Sequence, residues 1–225
     1  MDEIIVTING SQLRGSEGMT ILEVAQENGI DIPTLCYKTE LKPIGACRIC
    51  VVEVEGSRTL VGSCHTPIAQ GMVIHTHSPK VLETRKTIVE LLLASHPDSC
   101  IICDKGNMCE LRKIAADMEV ALPPFKVRKR YYPIEDTSPY IVRDLSKCIL
   151  CRRCVRSCSE IAEKNVFAVA YRGFKSKVVV DFDEPIDKEV CRDCDVCTRF
   201  CPTGALSKPR EVGEEKKGEA LFISG

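Results

Sequence analysis

Residues 148–158 read CILCRRCVRSC, and residues 191–201 read CRDCDVCTRFC. Each cysteine of the first run recurs 43 residues later in the second, so that position 148 corresponds to 191 and position 158 to 201. Four coincidences at one offset indicate a duplicated supersecondary unit. Apolar segments at 140–142, 166–170 and 178–182 flank the two runs and predict strands. The sequence therefore predicts a double βαβ repeat over residues 138–208.

Both runs have the spacing C-x2-C-x2-C-x3-C, which is typical of 4Fe–4S sites. In such pairs the first three thiolates of a run hold one cluster and the fourth holds the other cluster. Pro202 follows Cys201 as the pattern expects, whereas Ser159 follows Cys158. Zinc is the alternative, because C-x2-C also suits a tetrahedral zinc ion, although zinc would need two independent pairs per site. The predicted ligand sets are Cys148, Cys151, Cys154 and Cys201 for one cluster, and Cys158, Cys191, Cys194 and Cys197 for the other.

The first 78 residues have the pattern of a small sheet crossed by one helix. Residues 3–8 alternate apolar and polar positions, and Asn9-Gly10 predicts a tight hairpin turn with a return strand over 12–14. Thr20 and Glu23 form a capping box at the start of a helix that Gly29 closes. Further strands are predicted over 51–54, 59–61 and 72–75. This order indicates a β-grasp domain.

A first group of cysteines lies in this domain with the spacing C-x10-C-x2-C-x13-C: Cys36, Cys47, Cys50 and Cys64. A close pair, a near third ligand and a distant fourth suit a 2Fe–2S cluster better than a cubane. Plant-type ferredoxins have four residues between their first two ligands, so the fit is to a variant. Zinc remains an alternative here as well. His65 follows Cys64 and is interpreted as an exposed loop residue, with donation to a cluster sulfur as the other possibility.

A second group has the spacing H-x3-C-x2-C-x5-C and comprises His96, Cys100, Cys103 and Cys109. Its three cysteines need a fourth ligand, and no cysteine is left over. His96 is the preferred candidate and Asp98 the rival. The group lies between two predicted helices: one starts at Ser78-Pro79, has an apolar stripe of Val81, Leu82, Ile88, Leu91 and Leu92, and ends at His96-Pro97. The other spans 109–118.

The composition agrees with metal ligation. The chain has 225 residues with 15 cysteines and no Trp, so a large apolar core is unavailable and metal sites would add stability. Disulfides are the alternative, but the odd count leaves one thiol unpaired and the N-terminus does not resemble a signal peptide. A net charge of −1 and the lack of a long apolar run favour a soluble, cytoplasmic protein with no nucleic-acid partner and no membrane insertion. Arg152, Arg153, Arg156 and residues 126–130 are interpreted as a solvated or partner-facing basic surface.

In this order, the four groups resemble the N-terminal part of the large iron–sulfur subunit of respiratory complex I. They also resemble the small diaphorase subunit of NAD-linked nickel–iron hydrogenases and the front end of multi-cluster iron-only hydrogenases. The resemblance covers about residues 1–208, and it implies that His96 with Cys100, Cys103 and Cys109 holds a 4Fe–4S cluster. Together with the runs above, it implies one 2Fe–2S and three 4Fe–4S clusters.

The resemblance also implies a function. The chain is expected to relay electrons between a flavoprotein subunit that carries FMN and reacts with NAD(H) and a catalytic oxidoreductase subunit, first a hydrogenase and second a formate dehydrogenase. The sequence has no G-x-G-x-x-G fingerprint and ends soon after its fourth cysteine group, so a stand-alone subunit with no substrate site or catalytic residues of its own is expected. A free polyferredoxin and a zinc-stabilised scaffold are the alternatives.

The expected organisation is an α+β fold with four segments. These are a 2Fe–2S β-grasp domain over 1–78, a small helical 4Fe–4S domain with one histidine and three cysteine ligands and a basic linker over 79–137, a double 4Fe–4S ferredoxin domain over 138–208, and a charged tail over 209–225.

Overall fold

The computed structural model describes residues 3–186 and 189–209. Within these residues the chain has one five-stranded sheet, two two-stranded sheets and several short helices, and the predicted mixed fold is confirmed. Apart from Pro209, the predicted charged tail lies outside the described residues. None of the described helices combines the length and the apolar character needed to cross a membrane.

The five-stranded sheet occupies the N-terminal part of the chain, with strand order β2-β1-β5-β3-β4. Strands β1 and β5 are parallel, and the other neighbours are antiparallel. Asn9 and Gly10 have φ angles of 52° and 86°, so the predicted hairpin turn is confirmed. The strands are β1 (Glu3–Ile8), β2 (Ser11–Ser16), β3 (Val51–Val54), β4 (Val61–Gly62) and β5 (Val73–His75).

Helix α1 (Ile21–Glu27) packs on this sheet. Its capping box is confirmed: the Thr20 hydroxyl accepts from the Glu23 amide at 3.2 Å, and the Glu23 carboxylate accepts from the Thr20 amide at 2.7 Å. Gly29 follows the helix with a φ of 70°, as predicted for its C-terminal end. The apolar side of the helix lies in the same buried core as Cys50 and Cys64, so the fold of the sheet positions the first cysteine group.

Helices α2 (Pro79–Ala94) and α3 (Glu110–Asp117) follow, and they contact each other. The predicted start at Ser78-Pro79 is confirmed, since the Ser78 hydroxyl accepts from the Val81 amide. The predicted apolar stripe of α2 is partly wrong, because Leu82 and Leu91 are 47% and 48% exposed. A charged residue, Arg85, takes the central place on the buried face.

The C-terminal part runs in the order β6-α4-β7-β8-α5-β9, in which β6 pairs with β9 and β7 with β8, both antiparallel. The halves repeat in backbone conformation as well as in cysteine spacing. Leu150 and Asp193, which are 43 positions apart, have left-handed φ angles of 55° and 57°. The bounds are β6 (Val142–Arg143), α4 (Arg153–Arg156), β7 (Phe167–Ala170), β8 (Lys177–Val180), α5 (Val196–Phe200) and β9 (Leu206–Ser207).

A buried apolar cluster joins the three parts of the chain. Leu35 and Ile49 come from the loops beside the first cysteine group, while Val89 and Leu111 come from α2 and α3. Ile149, between two cysteines of the third group, packs against the same cluster. The cluster therefore places three of the four candidate sites around one core, which we call the central core.

Candidate metal centres

The third cysteine run closes around a small cavity together with one cysteine of the fourth run. Cys148, Cys151, Cys154 and Cys201 all line this cavity, and its remaining wall is mainly apolar. Burial raises the pKa of each thiol of the third-run triplet, and the negative charge of the nearby Cys201 raises it further. The structure thus brings together the four residues that the sequence assigned to one cluster.

The remaining cysteines of the two runs form a second neighbourhood. The pKa of Cys197 is raised to about 12 by burial and then by the charges of Cys158, Cys191 and Cys194. The Cys158 sulfur accepts a hydrogen bond from the amide of Val166 at 3.3 Å. Cys197 is also a charged neighbour of Cys154, so the two sets of thiols adjoin each other.

Burial dominates the acid–base behaviour of these thiols. It raises the pKa of Cys148 to about 11 and that of Cys151 to about 12, with the charges of neighbouring thiols adding to the effect. Without a metal these thiols are therefore protonated near neutral pH. Binding of iron must release their protons, because the thiolate is the ligand.

The backbone of the runs also suits an anionic cluster. Leu150, Arg152 and Asp193 adopt the left-handed conformation, which non-glycine residues rarely enter. Alternation of right- and left-handed residues turns successive N–H groups toward one concave side, an arrangement that binds anions and iron–sulfur groups. The amide of Leu150 lies 3.4 Å from the Cys148 sulfur, in keeping with this geometry.

The first cysteine group is assembled between the sheet and its loops. Cys36 and Cys47 form one close thiol pair, and Cys50 and Cys64 form another. Hydrogen bonding from Cys47 lowers the pKa of Cys36 to about 5 in spite of burial, and hydrogen bonding from Cys64 lowers that of Cys50 to about 6. The two pairs also influence each other: the pKa of Cys64 is raised by its bond to Cys50, by burial, and by the charges of all three other thiols.

His65 lies beside this group and combines both roles considered for it. Its side chain is exposed, as expected, yet Nδ1 is 3.5 Å from the Cys64 sulfur. Two glycines make room for the ring: a Cβ on Gly45 would lie 2.8 Å from His65 Cε1, and a Cβ on Gly62 would overlap the same atom. Because a metal-bound thiolate is an acceptor, the ring would donate to it through Nδ1–H.

Gly62→Ala and His65→Ala are therefore expected to lower the reduction potential of a 2Fe–2S cluster in this site by similar amounts. Hydrogen bonds to cluster sulfurs favour the more negative reduced state, and losing a weak one corresponds to about 20–60 mV. Redox titration followed by EPR measures the shift. The double variant should equal either single variant, because both changes remove the same contact. Additive shifts would show that Gly62 acts on the site by another route.

The second group surrounds a separate small cavity. His96, Cys100, Cys103 and Cys109 all line it, with Arg112 and Lys147 among its other residues. His96 is buried, and its Nδ1 lies 3.2 Å from the carbonyl oxygen of Pro97, so Nδ1–H donates there. Nε2 is buried and has no hydrogen-bond partner among the described residues. This leaves an unshared lone pair on Nε2, which is the state that a metal requires.

Two further features distinguish His96 from its rival. Burial lowers the pKa of His96, so the imidazole is neutral near pH 7 and available as a ligand. The side chain of Asp98 is 78% exposed and forms an ion pair with Lys129. The orphaned buried nitrogen and three thiols at one cavity fit the donor set of a cluster with one histidine and three cysteine ligands.

The interpretation of the basic residues around the third run is wrong for two of them. Arg153 and Arg156 are buried, at 0% and 6% exposure, whereas Arg152 is exposed as expected. The spacing of three residues places Arg153 and Arg156 on one face of α4, which is the only sequence signal that pointed to a shared role. Arg85 on α2 is a third buried arginine, and it donates to the Val51 carbonyl at 2.7 Å.

Across residues 3–186 and 189–209, no three His, Cys, Asp or Glu side chains form a group that could hold a single metal ion.

Three family models match successive parts of the chain. The description of the first, over residues 1–79, is a 2Fe-2S iron-sulfur cluster binding domain. The second matches residues 85–122 and describes an iron-sulfur binding region of NADH-ubiquinone oxidoreductase-G. The third matches residues 138–207 and describes the ferredoxin-like domain of NADH-quinone oxidoreductase subunit 3. The chain is thus an iron–sulfur protein with one 2Fe–2S domain and further iron–sulfur-binding regions.

Curated relatives agree with these matches. The NADP-reducing hydrogenase subunit HndD of Solidesulfovibrio fructosivorans is 40% identical over 219 residues, which are 95% of this chain and 37% of the relative. A large NADH-quinone oxidoreductase subunit of Rhizobium meliloti, of the G type, is 40% identical over 209 residues, 90% of this chain and 24% of the relative. The NADPH-Fe(3+) oxidoreductase subunit alpha of Geobacter sulfurreducens is 35% identical over 207 residues, 92% of this chain and 24% of the relative. The chain therefore spans well under half the length of these relatives.

A solved structure extends the similarity to the whole fold. A chain of NAD+-reducing [NiFe]-hydrogenase superposes with a TM-score of 0.84 at 28% identity, covering 99% of this chain and 90% of that one. The chain belongs to the family of iron–sulfur proteins shared by NADH-quinone oxidoreductases and NAD(P)-linked hydrogenases.

Proposed function

We propose that the chain is an electron-relay subunit of a cytoplasmic, NAD(P)-linked oxidoreductase complex. It would pass electrons between a flavoprotein subunit that exchanges hydride with the nicotinamide and a catalytic subunit, with a hydrogenase as the first candidate and a formate dehydrogenase as the second. Bound iron–sulfur clusters supply one-electron redox chemistry, while the protein supplies spacing, insulation and tuned potentials.

The observation that carries the proposal is the convergence of three candidate sites on the central core. Cys47 of the first group and Cys109 of the second pack against this core, and Ile149 brings the third group to it. The fourth set of thiols adjoins the third through Cys154 and Cys197. A contiguous series of sites in one body suits transfer of electrons through the protein.

The proposed ligands and segments are those expected from the sequence. The duplicated unit over 138–208 would hold two 4Fe–4S clusters with exchanged fourth ligands, and the helical segment over 79–137 would hold the third. The segment over 1–78 would hold the 2Fe–2S cluster. The proposed sets are Cys36, Cys47, Cys50 and Cys64; His96, Cys100, Cys103 and Cys109; Cys148, Cys151, Cys154 and Cys201; and Cys158, Cys191, Cys194 and Cys197.

Protein purified without oxygen is expected to be brown and to contain about 14 iron and about 14 sulfide per chain, the sum of three cubanes and one 2Fe–2S centre. Elemental analysis and a visible absorption spectrum measure this. A zinc-stabilised scaffold would give colourless protein with stoichiometric zinc, and that result would overturn the proposal.

The partners are tested on protein purified from its native source. The relay predicts a complex with a flavin-containing protein that stays together in size-exclusion chromatography, and bleaching of the cluster absorption when NADH or NADPH is added. A free polyferredoxin elutes as a monomer and does not respond to either nucleotide. A native monomer of this kind would replace the relay by the polyferredoxin.

A further inference from the structure

The structure assigns to Arg153 and Arg156 of α4 a positioning role: they hold the ligand-bearing segments of three candidate sites in fixed relation. This inference rests on the proposed function, because its value lies in setting the paths along which electrons pass. The two arginines flank Cys154 of the third group. Both reach segments more than 40 residues away in sequence.

Arg153 joins the third site to the second and the first. Its Nη1 and Nη2 donate to the two carboxylate oxygens of Glu110 at 2.7 and 2.8 Å, a bidentate pair. Glu110 is the residue after Cys109, and its amide donates to the Pro202 carbonyl at 3.0 Å, next to Cys201. Nη2 of Arg153 also donates to the Tyr37 carbonyl at 3.1 Å, next to Cys36.

Arg156 adds two contacts to the first site. Its Nη2 donates to the carbonyl oxygen of Cys36, and its Nη1 donates to that of Lys42. The neighbouring Glu160 accepts from the Lys42 amide at 2.9 Å. The loop that carries the first ligand of the 2Fe–2S domain is therefore held at both of its ends by one turn of the ferredoxin-like domain.

Burial argues that these arginines are more than surface charge. A guanidinium removed from water is costly unless its hydrogen bonds are made, so a buried arginine at a junction is bound firmly to one arrangement. Three of the acceptors are carbonyl oxygens, which apolar residues at the same positions cannot bond. A planar fork reaches several acceptors at once, and lysine cannot reproduce it.

The test compares Arg153→Met, Arg156→Met and Arg153→Lys with Arg172→Met, in the full chain loaded with iron and sulfide. Arg172 is exposed in the hairpin between β7 and β8, so its variant is a matched control for loss of one arginine. Two properties are measured: hydrogen exchange of amides in 36–42 and 109–112, and the magnetic interaction between reduced centres, seen as dipolar broadening and relaxation enhancement in EPR.

Arg153→Met is expected to retain its iron but to exchange in both segments about tenfold faster or more, since hydrogen bonds to a charged group contribute at least that factor to local opening. Its dipolar broadening should change. Arg156→Met should affect 36–42 alone, and Arg153→Lys should lie between wild type and Arg153→Met. The control should match wild type.

Exchange and dipolar broadening equal to those of the control in both Met variants would overturn the inference. Should Arg153→Met fail to bind iron, Arg153→Lys decides by the same two measurements, and wild-type values would again refute the role. Failure of the relay proposal is distinguishable: a wild-type protein without clusters would overturn that proposal, while the exchange comparison would still test the two arginines.

Discussion

The His96→Ala protein is expected to contain about 10 iron atoms per chain in place of about 14, because one cubane is left with three thiolates. His96 is buried at the cavity that Cys100, Cys103 and Cys109 line, and its Nε2 has no other partner in the described part of the chain. Iron and sulfide analysis with EPR of the reduced protein measures the loss. Partial loss to a 3Fe–4S signal would equally identify His96 as the fourth ligand.

His96→Cys gives the complementary result. A fourth thiolate should restore about 14 iron while lowering the potential of that cluster by about 100 mV or more, because replacing a neutral imidazole with an anion favours the oxidised state. Asp98→Ala is the control for the rival ligand. It should keep all its iron, since the Asp98 side chain is exposed and paired with Lys129. Full iron content in His96→Ala, with loss in Asp98→Ala, would reverse the assignment.

The elements that the sequence predicted well are those determined by neighbouring residues. The capping box of Thr20 and Glu23, the Asn9-Gly10 turn and the Ser78-Pro79 helix start each depend on contacts within a few positions. Local geometry settles these features, because the hydrogen bonds that form them lie inside the same turn. The grouping of cysteines was predictable for a similar reason, since a cluster imposes regular ligand spacing.

Features that depend on distant segments were not predictable. Arg152 and Arg153 are adjacent and chemically identical, yet only Arg153 is buried, because its acceptors at Tyr37 and Glu110 come from other parts of the chain. The face of α2 was misassigned for the same reason. Hydrophobic periodicity favoured Leu82 and Leu91, but the acceptor at the Val51 carbonyl drew Arg85 inward instead.

The exchange of fourth ligands between the two cysteine runs lies between these cases. Spacing predicts it by its resemblance to other double-cluster units, but a single-residue variant cannot test it. Loss of any one ligand should remove one cubane in either arrangement, leaving about 10 iron. Pairs of substitutions separate the alternatives, because they ask whether two cysteines serve the same cluster.

Cys148→Ser with Cys201→Ser is expected to leave about 10 iron, whereas Cys148→Ser with Cys158→Ser is expected to leave about 6. The first pair lines one cavity, so the double change removes the ligands of a single cluster. The second pair belongs to both clusters, since the charge of Cys158 acts on Cys197. Anaerobic iron and sulfide analysis measures the counts. If each run held its own cluster, the two results would be interchanged: about 6 iron for the first pair and about 10 for the second. The two arrangements thus predict opposite orders for the same two proteins, so incomplete loading that affects both equally cannot reproduce the wrong answer.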